Sequence, residues 1–335
     1  MKRLVVCCDG TWQRPDHLDR GKVEPSNVAK MALAVKPRSA DNTLQPMYYH
    51  PGVGTGRWDR VRGGAFGVGL SRNIRDAYTW LVRNFDPGDQ VFLFGFSRGA
   101  YTARSLGGLI RNCGILRREY LDKLRDGYRL YRRHDEASEP AKFESRLFRG
   151  SYAHETRITC IGVWDTVGAL GIPPGPLAVL NGLFRLSFHD VRLSSWVDNA
   201  FQALAIDERR RPFRPSIWQQ QQGSKQTLEQ VWFPGSHANV GGGYADTGLS
   251  DIAFEWMARR AIGCGLELEF PPPGIGFAPN AAGELRDSMT WLYRLWVPLV
   301  REVSDGGRFP TFERISDAAS EREKAVPEYR PENLP

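Results

Sequence analysis

The chain has 335 residues, 41% hydrophobic and 25% charged, which is enough apolar material for a sizeable core with an ordinary soluble surface. Its formal net charge of +7 is gathered in runs such as Arg117-Arg118, Arg132-Arg133 and Arg209-Arg210-Arg211, read either as solvated faces or as attraction to anionic lipid surfaces or acidic substrates. No helix-turn-helix, zinc-finger or aromatic RNA-binding signature accompanies the charge, so no nucleic-acid partner is expected.

Arg3 to Cys8 (RLVVCC) is a nearly continuous apolar run that stops at Asp9-Gly10-Thr11, the pattern of a buried parallel strand ending in a turn. Gly52 to Gly69 is glycine-rich and reads as a loop. Asn73 to Phe85 carries apolar residues at helical spacing and is ended by Asp86-Pro87-Gly88-Asp89. Gln90 to Phe94 (QVFLF) is a second buried strand, followed by GFSRGA and a helical pattern through Arg111. Tyr120 to Arg149 is charged and expected to be helical on the surface. Thr156 to Trp164 gives a third strand ending at Asp165-Thr166, and Leu228 to Phe233 (LEQVWF) a fourth ending at PGSHANVGGGY.

Between these last two, Pro173-Pro174-Gly175-Pro176 opens an irregular, apolar-rich insertion. The last third holds a helix near Ile252 to Ile262, a Pro271-Pro272-Pro273 break and an aromatic-rich helix from Ser288 to about Leu295, which Pro298 ends or kinks. A polar tail without core signal follows from about Ser316. The expected division is therefore one domain over 1–315, with a cap insertion around 170–225, and a polar tail over 316–335.

The five cysteines, Cys7, Cys8, Cys113, Cys160 and Cys264, are odd in number and lack metal-ligand spacing, and three sit inside apolar runs. Buried free thiols and synthesis in a reducing compartment are expected. No run is long enough for a signal peptide or a membrane span. Export by a system that recognises folded proteins would leave no such mark.

Strands alternating with helices argue for a mostly parallel sheet wrapped by helices. Ligands of such sheets bind beyond the carboxyl ends of the strands, where Asp9, Ser97, Asp165 and His237 all fall. Gly95-Phe96-Ser97-Arg98-Gly99 matches G-x-S-x-G between a strand and a helix, the setting of a nucleophile elbow. The flanking glycines spare collisions with the neighbouring strand and helix, and the helix N-terminus offers backbone N–H groups and a positive dipole end.

A serine hydroxyl needs a general base, itself oriented by an acid. His189 and His237 both follow Ser97 by enough chain; His237, in a glycine-bounded loop after LEQVWF, is favoured because no strand precedes His189. Asp165 ends a strand and is the favoured acid. Asp190 reads instead as a helix cap, Asp207 as part of a surface charge cluster with Glu208, Arg209 and Arg210, and Asp246 is close in sequence to His237. Oxyanion donors are expected from the backbone N–H of Arg98 and from the early loop at Gly10 and Thr11. The alternative for Asp9-Gly10-Thr11 is a simple tight strand exit.

Beyond the elbow, the blocks CCDGTW, SNVAKMA, YYHPGVGTG, NIRDAYTWLVRNFDPGDQVFLFGFSRGAYTARSLGGLI, VWDTVGALG, FHDVRLSSWVDNAFQALAIDERRRPFRPSIW, EQVWFPGSHANVGGGY and LSDIAFEWM run through roughly residues 1 to 260. Together they resemble the α/β-hydrolase family typified by type VI secretion phospholipase effectors. The resemblance implies an α/β-hydrolase-like fold, a Ser97–Asp165–His237 triad, ester hydrolysis and a phospholipid substrate. One departure is Asn239, where the family usually carries Asp two positions after the histidine.

The expected activity is hydrolysis of carboxylic esters, lipase- or phospholipase-like, through an acyl-enzyme. The same triad also serves amide or thioester hydrolysis and acyl transfer, and a non-catalytic lipid- or protein-binding module on the scaffold is the reading from another class. The apolar insertion Leu170 to Phe188 reads as a lid or acyl-chain wall, or as a packed cap. Trp291, Leu292, Leu295 and Trp296 read as a peripheral membrane contact or as the inner face of a helix. No cofactor or metal is expected, and the Asp-rich loops lack calcium-loop spacing.

Overall fold

In the computed structural model, the apolar runs read from the sequence lie side by side. The structure describes residues 1–10, 18–52, 65–133, 135–167, 192–289, 293 and 297–334. The central sheet has seven strands: β1 Arg3–Cys8, β2 Met47–His50, β3 Gln90–Phe96, β4 Ile158–Trp164, β5 Val197–Ala205, β6 Thr227–Phe233 and β7 Glu313–Ile315. Their order is β7-β6-β5-β4-β3-β1-β2 and every pairing is parallel. All seven strands therefore deliver their carboxyl ends to one edge, where such sheets place their chemistry.

Strand alternation divides the core in two. Leu4, Val6, Cys8, Val91 and Leu93 face the layer of α2 (Ala65–Asn84), α3 (Arg98–Cys113), α4 (Leu124–Arg132) and α5 (Phe143–Tyr152). Val5, Cys7, Phe92, Phe94 and Phe96 face α1 (Asn27–Ala34) and α7 (Gly248–Gly263). On the second face α1 and α7 are also tied by a buried ion pair, Lys30 Nζ to Asp251 Oδ1 at 2.6 Å. All five cysteines are free. Among the described residues no helix is long and apolar enough to cross a membrane.

Several sequence expectations change. Val197–Ala205, inside the span expected as a cap insertion, is a central strand paired with both β4 and β6. Its Asp198, Asn199 and Gln202 interrupt the apolar run that would have marked it, yet Gln202 is fully buried because its side chain donates to the Ser216 carbonyl at 3.1 Å. The tail expected from Ser316 contains α8 (Asp317–Ala325), with Ala318, Ala319 and Arg322 buried. Its mostly charged sequence hides the short apolar face, and Arg322 is held by the carbonyls of Ala281 and Gly283. The expected lid segment Leu170 to Phe188 lies outside the described residues. So does most of the expected aromatic helix, including Trp291, Leu292, Leu295 and Trp296, while Ser288 and Met289 are irregular.

Candidate active site

The G-x-S-x-G motif turns from β3 into α3. Ser97 is the helix N-cap and holds φ +56° and ψ −119°, a conformation that costs a non-glycine residue energy and persists only where the surroundings impose it. The surroundings are visible. A Cβ at Gly95 would lie 2.4 Å from the Gly99 carbonyl oxygen, and one at Gly99 only 1.9 Å from that of Cys8. Both glycines are thus fixed by backbone contact, and the start of α3 sits directly on the end of β1. The Ser97 N–H donates to the Trp164 carbonyl at 3.1 Å, and Phe96 is paired in register with Trp164. Ser97 and Asp165 are therefore equivalent positions, each the first residue past adjoining strands.

Asp165 also has positive φ, +38°, and is completely buried. Its Oδ2 lies 2.5 Å from His237 Nδ1. Arg301 grips the other side: Nη1 donates to Oδ1 at 2.6 Å and Nη2 to Oδ2 at 3.0 Å, while the Ala205 N–H donates to Oδ1 at 3.1 Å. The arginine is itself buried and donates to the carbonyls of Ala205 and Phe213. Burial pushes the Asp165 carboxyl up, but the Arg301 charge and the His237 hydrogen bond outweigh it and hold the group well below the usual carboxylate range. An ionised carboxylate only accepts, so His237 Nδ1 carries the proton and Nε2 keeps a free lone pair.

His237 is not in an open loop, as its glycine-bounded surroundings suggested, but is the first residue of a short helix, α6 (His237–Gly241). Its ring lies 4.6 Å from that of Phe96, the residue before Ser97, and meets the Phe213 ring edge-on at 4.8 Å. Burial lowers the imidazole pKa more than Asp165 raises it, and nearby Arg210 lowers it further. The neutral form is the resting form at neutral pH.

Glu208, expected in a surface cluster, is buried instead. It accepts from the His237 N–H at 3.2 Å, from Ser288 Oγ at 3.0 Å, and from Arg210 Nε and Nη2 at 2.8 Å each. Burial pushes its carboxyl up, yet the Arg210 contacts bring the net value below the ordinary one. Asp207, half-buried, accepts from the Gly235 N–H and from Tyr329 Oη. Asp246 accepts from the N–H groups of Gly248 and Glu284 and serves its own loop. His189 and Asp190 lie outside the described residues.

Asn239 has a structural assignment. Its Oδ1 accepts from the N–H and hydroxyl of Ser236 and from the Arg286 N–H, and its Nδ2 donates to the Glu284 carbonyl at 2.9 Å. It completes the capping box of α6, and the amide supplies a donor that a carboxylate lacks.

Of the expected oxyanion donors, the Arg98 N–H opens α3, where helix N–H groups have no intrahelical acceptor. Burial lowers the Arg98 guanidinium pKa to about 10. The Gly10 N–H donates to Asp9 Oδ1 at 2.6 Å. Asp9 also receives the hydroxyls of Ser26 and Tyr49, each at 2.6 Å. Thr11 lies outside the described residues. Among the described residues no three His, Cys, Asp or Glu side chains converge to hold a metal ion.

Arg301, Glu208 and Phe213 were not legible as site residues. Arg301 stands in an irregular stretch with no motif. The nearest signal was the compact ERRRPF block, whose density of charge next to an aromatic pointed only to the surface.

Residues 2–260 match the family described as the catalytic domain of Tle1-like phospholipase effectors of the type VI secretion system (T6SS). An uncharacterized protein of Saccharomyces cerevisiae, YEL023C, is 26% identical over 235 residues, covering 64% of this chain and 32% of that protein. A crystal structure of an uncharacterized protein from Pseudomonas aeruginosa aligns with TM-score 0.44 and 17% identity, covering 80% of this chain and 46% of that one. The chain thus spans less than half the length of either protein.

Proposed function

The chain belongs to the family of Tle1-like T6SS phospholipase effector catalytic domains, which supports a lipase- or phospholipase-like hydrolase; from that premise we propose that it cleaves carboxylic esters of phospholipids with Ser97 as nucleophile, His237 as base and Asp165 as acid. The observation that carries this reading is the 2.5 Å contact between His237 Nδ1 and Asp165 Oδ2 beside an elbow serine held at φ +56°.

In this reading Ser97 Oγ attacks the acyl carbonyl as its proton passes to His237 Nε2. Asp165 stays ionised and stabilises the imidazolium. The oxyanion forms against the Arg98 N–H at the start of α3. Collapse breaks the ester C–O bond, the leaving alcohol takes the proton from His237, and Ser97 is left acylated. Water, deprotonated by His237, then attacks the acyl carbon; the Ser97 Oγ–acyl bond breaks, Oγ takes the proton back from His237, and the fatty acid leaves.

The test is fatty-acid release from a panel of phospholipid vesicles and short-chain esters by the wild type and Ser97→Ala. Release by the wild type, with a loss in the variant of at least about a thousandfold, is expected. Wild-type protein inert on every ester, or equal release by the variant, contradicts the proposal. Amide and thioester substrates in the same panel separate the other acyl-transfer chemistries.

A further inference from the structure

A cavity of about 540 Å³ runs along α3, and none of Ser97, Asp165, His237 or Arg301 lines it. Its walls come from α2, α3, α4 and the chain around Arg192 and Trp218. The floor is built by spacing: Arg104 and Arg111 are two turns apart on α3 and share a face, while Gly107 and Gly108 between them contribute no side chain. Among the described residues, Arg132 from α4, Arg133 just past it, and Arg192 bring the guanidinium groups on the wall to five, with the carboxylates of Asp135 and Glu139 beside them.

These cations are unequally compensated. Arg133 is committed to Asp135 and Glu144, at 2.7 and 2.6 Å. Arg104 lies 4.3 Å over the Trp218 ring and donates to the Ser216 carbonyl at 2.6 Å. Arg111 lies 4.7 Å over Trp196, whose ring also faces Arg149 at 5.1 Å. Arg149 has Glu155, at 2.8 Å. Arg111 and Arg132 have no ion-pair partner among the described residues, and the buried Tyr128 hydroxyl, on the same wall, has no hydrogen-bond partner among them.

Arg104 is buried and Arg111 half-buried, so these two lack part of their hydration, and cations gathered around one void repel each other. Burial lowers the Arg104 pKa to about 9, and burial with the Arg149 charge lowers that of Arg111. A multi-oxygen anion relieves both costs, and guanidinium forks match phosphate geometry. The volume is that of a small-molecule site and exceeds what a bare phosphate ion fills. We propose that this cavity is a second ligand site, separate from the Ser97 centre, that binds the phosphate group of an organic phosphate through Arg111, Arg132 and the Tyr128 hydroxyl.

The ligand is either a free phosphomonoester or a lipid headgroup, and the two sources are separable. Calorimetric titration of the full chain with glycerol 3-phosphate reads the first. Flotation with phosphatidylglycerol-containing vesicles, using Ser97→Ala to prevent turnover, reads the second. Saturable binding of either probe, weakened at least about tenfold in Arg111→Gln and in Arg132→Gln and partly kept in Arg111→Lys, is expected. Arg129→Gln, on the exposed side of α4 and outside the cavity wall, should bind as the wild type does. Thermal melts show whether each variant is folded; if Arg111→Gln is not, the exposed Arg132 carries the comparison. The proposal is overturned if neither probe binds saturably, if folded Arg132→Gln binds undiminished, or if Arg129→Gln weakens binding equally.

Discussion

Arg301 holds both carboxylate oxygens of Asp165, at 2.6 and 3.0 Å, on the side opposite His237. The buried carboxylate therefore has a permanent counter-cation and does not depend on a protonated imidazole for neutralisation. Arg301→Met leaves that carboxylate buried without its fork, and a loss of about 3–5 kcal/mol in unfolding free energy is expected from urea denaturation. Arg301→Lys should recover part of it, since an ammonium restores the charge but not the two parallel hydrogen bonds. An Arg301→Met variant as stable as the wild type would show that the pair contributes nothing.

The same pair bears on pH dependence. In the proposed mechanism His237 must be neutral to accept the Ser97 proton, and burial lowers its pKa from the ordinary value. The acid limb of kcat/KM should therefore have its midpoint below about 6.5. Arg301→Lys, which compensates Asp165 less completely, should move that midpoint upward. A midpoint above the ordinary histidine value in the wild type contradicts the burial argument.

Stability should fall on acidification in two stages. The folded-state pKa values of His237 and His50 are both lowered by burial, so the unfolded chain binds protons first and stability declines as pH drops below about 6.5. Asp165 and Glu208 are likewise lowered on balance. Their contribution is present above the ordinary carboxylate values of about 4 and is lost as pH falls through the folded-state values. Urea midpoints measured against pH should show both stages. His237→Gln should reduce the upper one without abolishing it, because His50 remains.

Asn239→Asp puts a carboxylate in place of the buried amide, and the structure predicts that it destabilises. The Glu284 carbonyl would lose its 2.9 Å donor and face a buried carboxylate oxygen. A loss of about 1–3 kcal/mol is expected, smaller at acidic pH where the new group is protonated. Chemical denaturation at two pH values checks both the size and the trend; an unchanged or raised midpoint would show that the amide donor is dispensable.

The parts of the fold that were legible are those whose physics is local. RLVVCC, QVFLF, TRITCIGVW and LEQVWF are largely buried on both faces, and such strands read as near-continuous apolar runs. The elbow was legible because its motif is contiguous, Gly95 being demanded by the backbone of Gly99 and Ala100, although Gly99 answers to the distant carbonyl of Cys8. Val197–Ala205 was missed because its polar residues are satisfied by partners distant in sequence, as Gln202 is by Ser216. Arg301 was missed for the same reason on a larger scale: it reaches Asp165 across 136 positions. Glu208 was misplaced because a run of charge reads as solvated, whereas here Arg210 and the His237 N–H satisfy it in the interior.

The central claim is that Ser97 is a nucleophile activated by His237. Treating the folded protein with a fluorophosphonate probe and mapping the adduct by mass spectrometry tests it most directly. The account predicts a single adduct on Ser97, absent in Ser97→Ala and strongly slowed in His237→Ala. No adduct on well-folded wild-type protein, or labelling undiminished by either substitution, would contradict it.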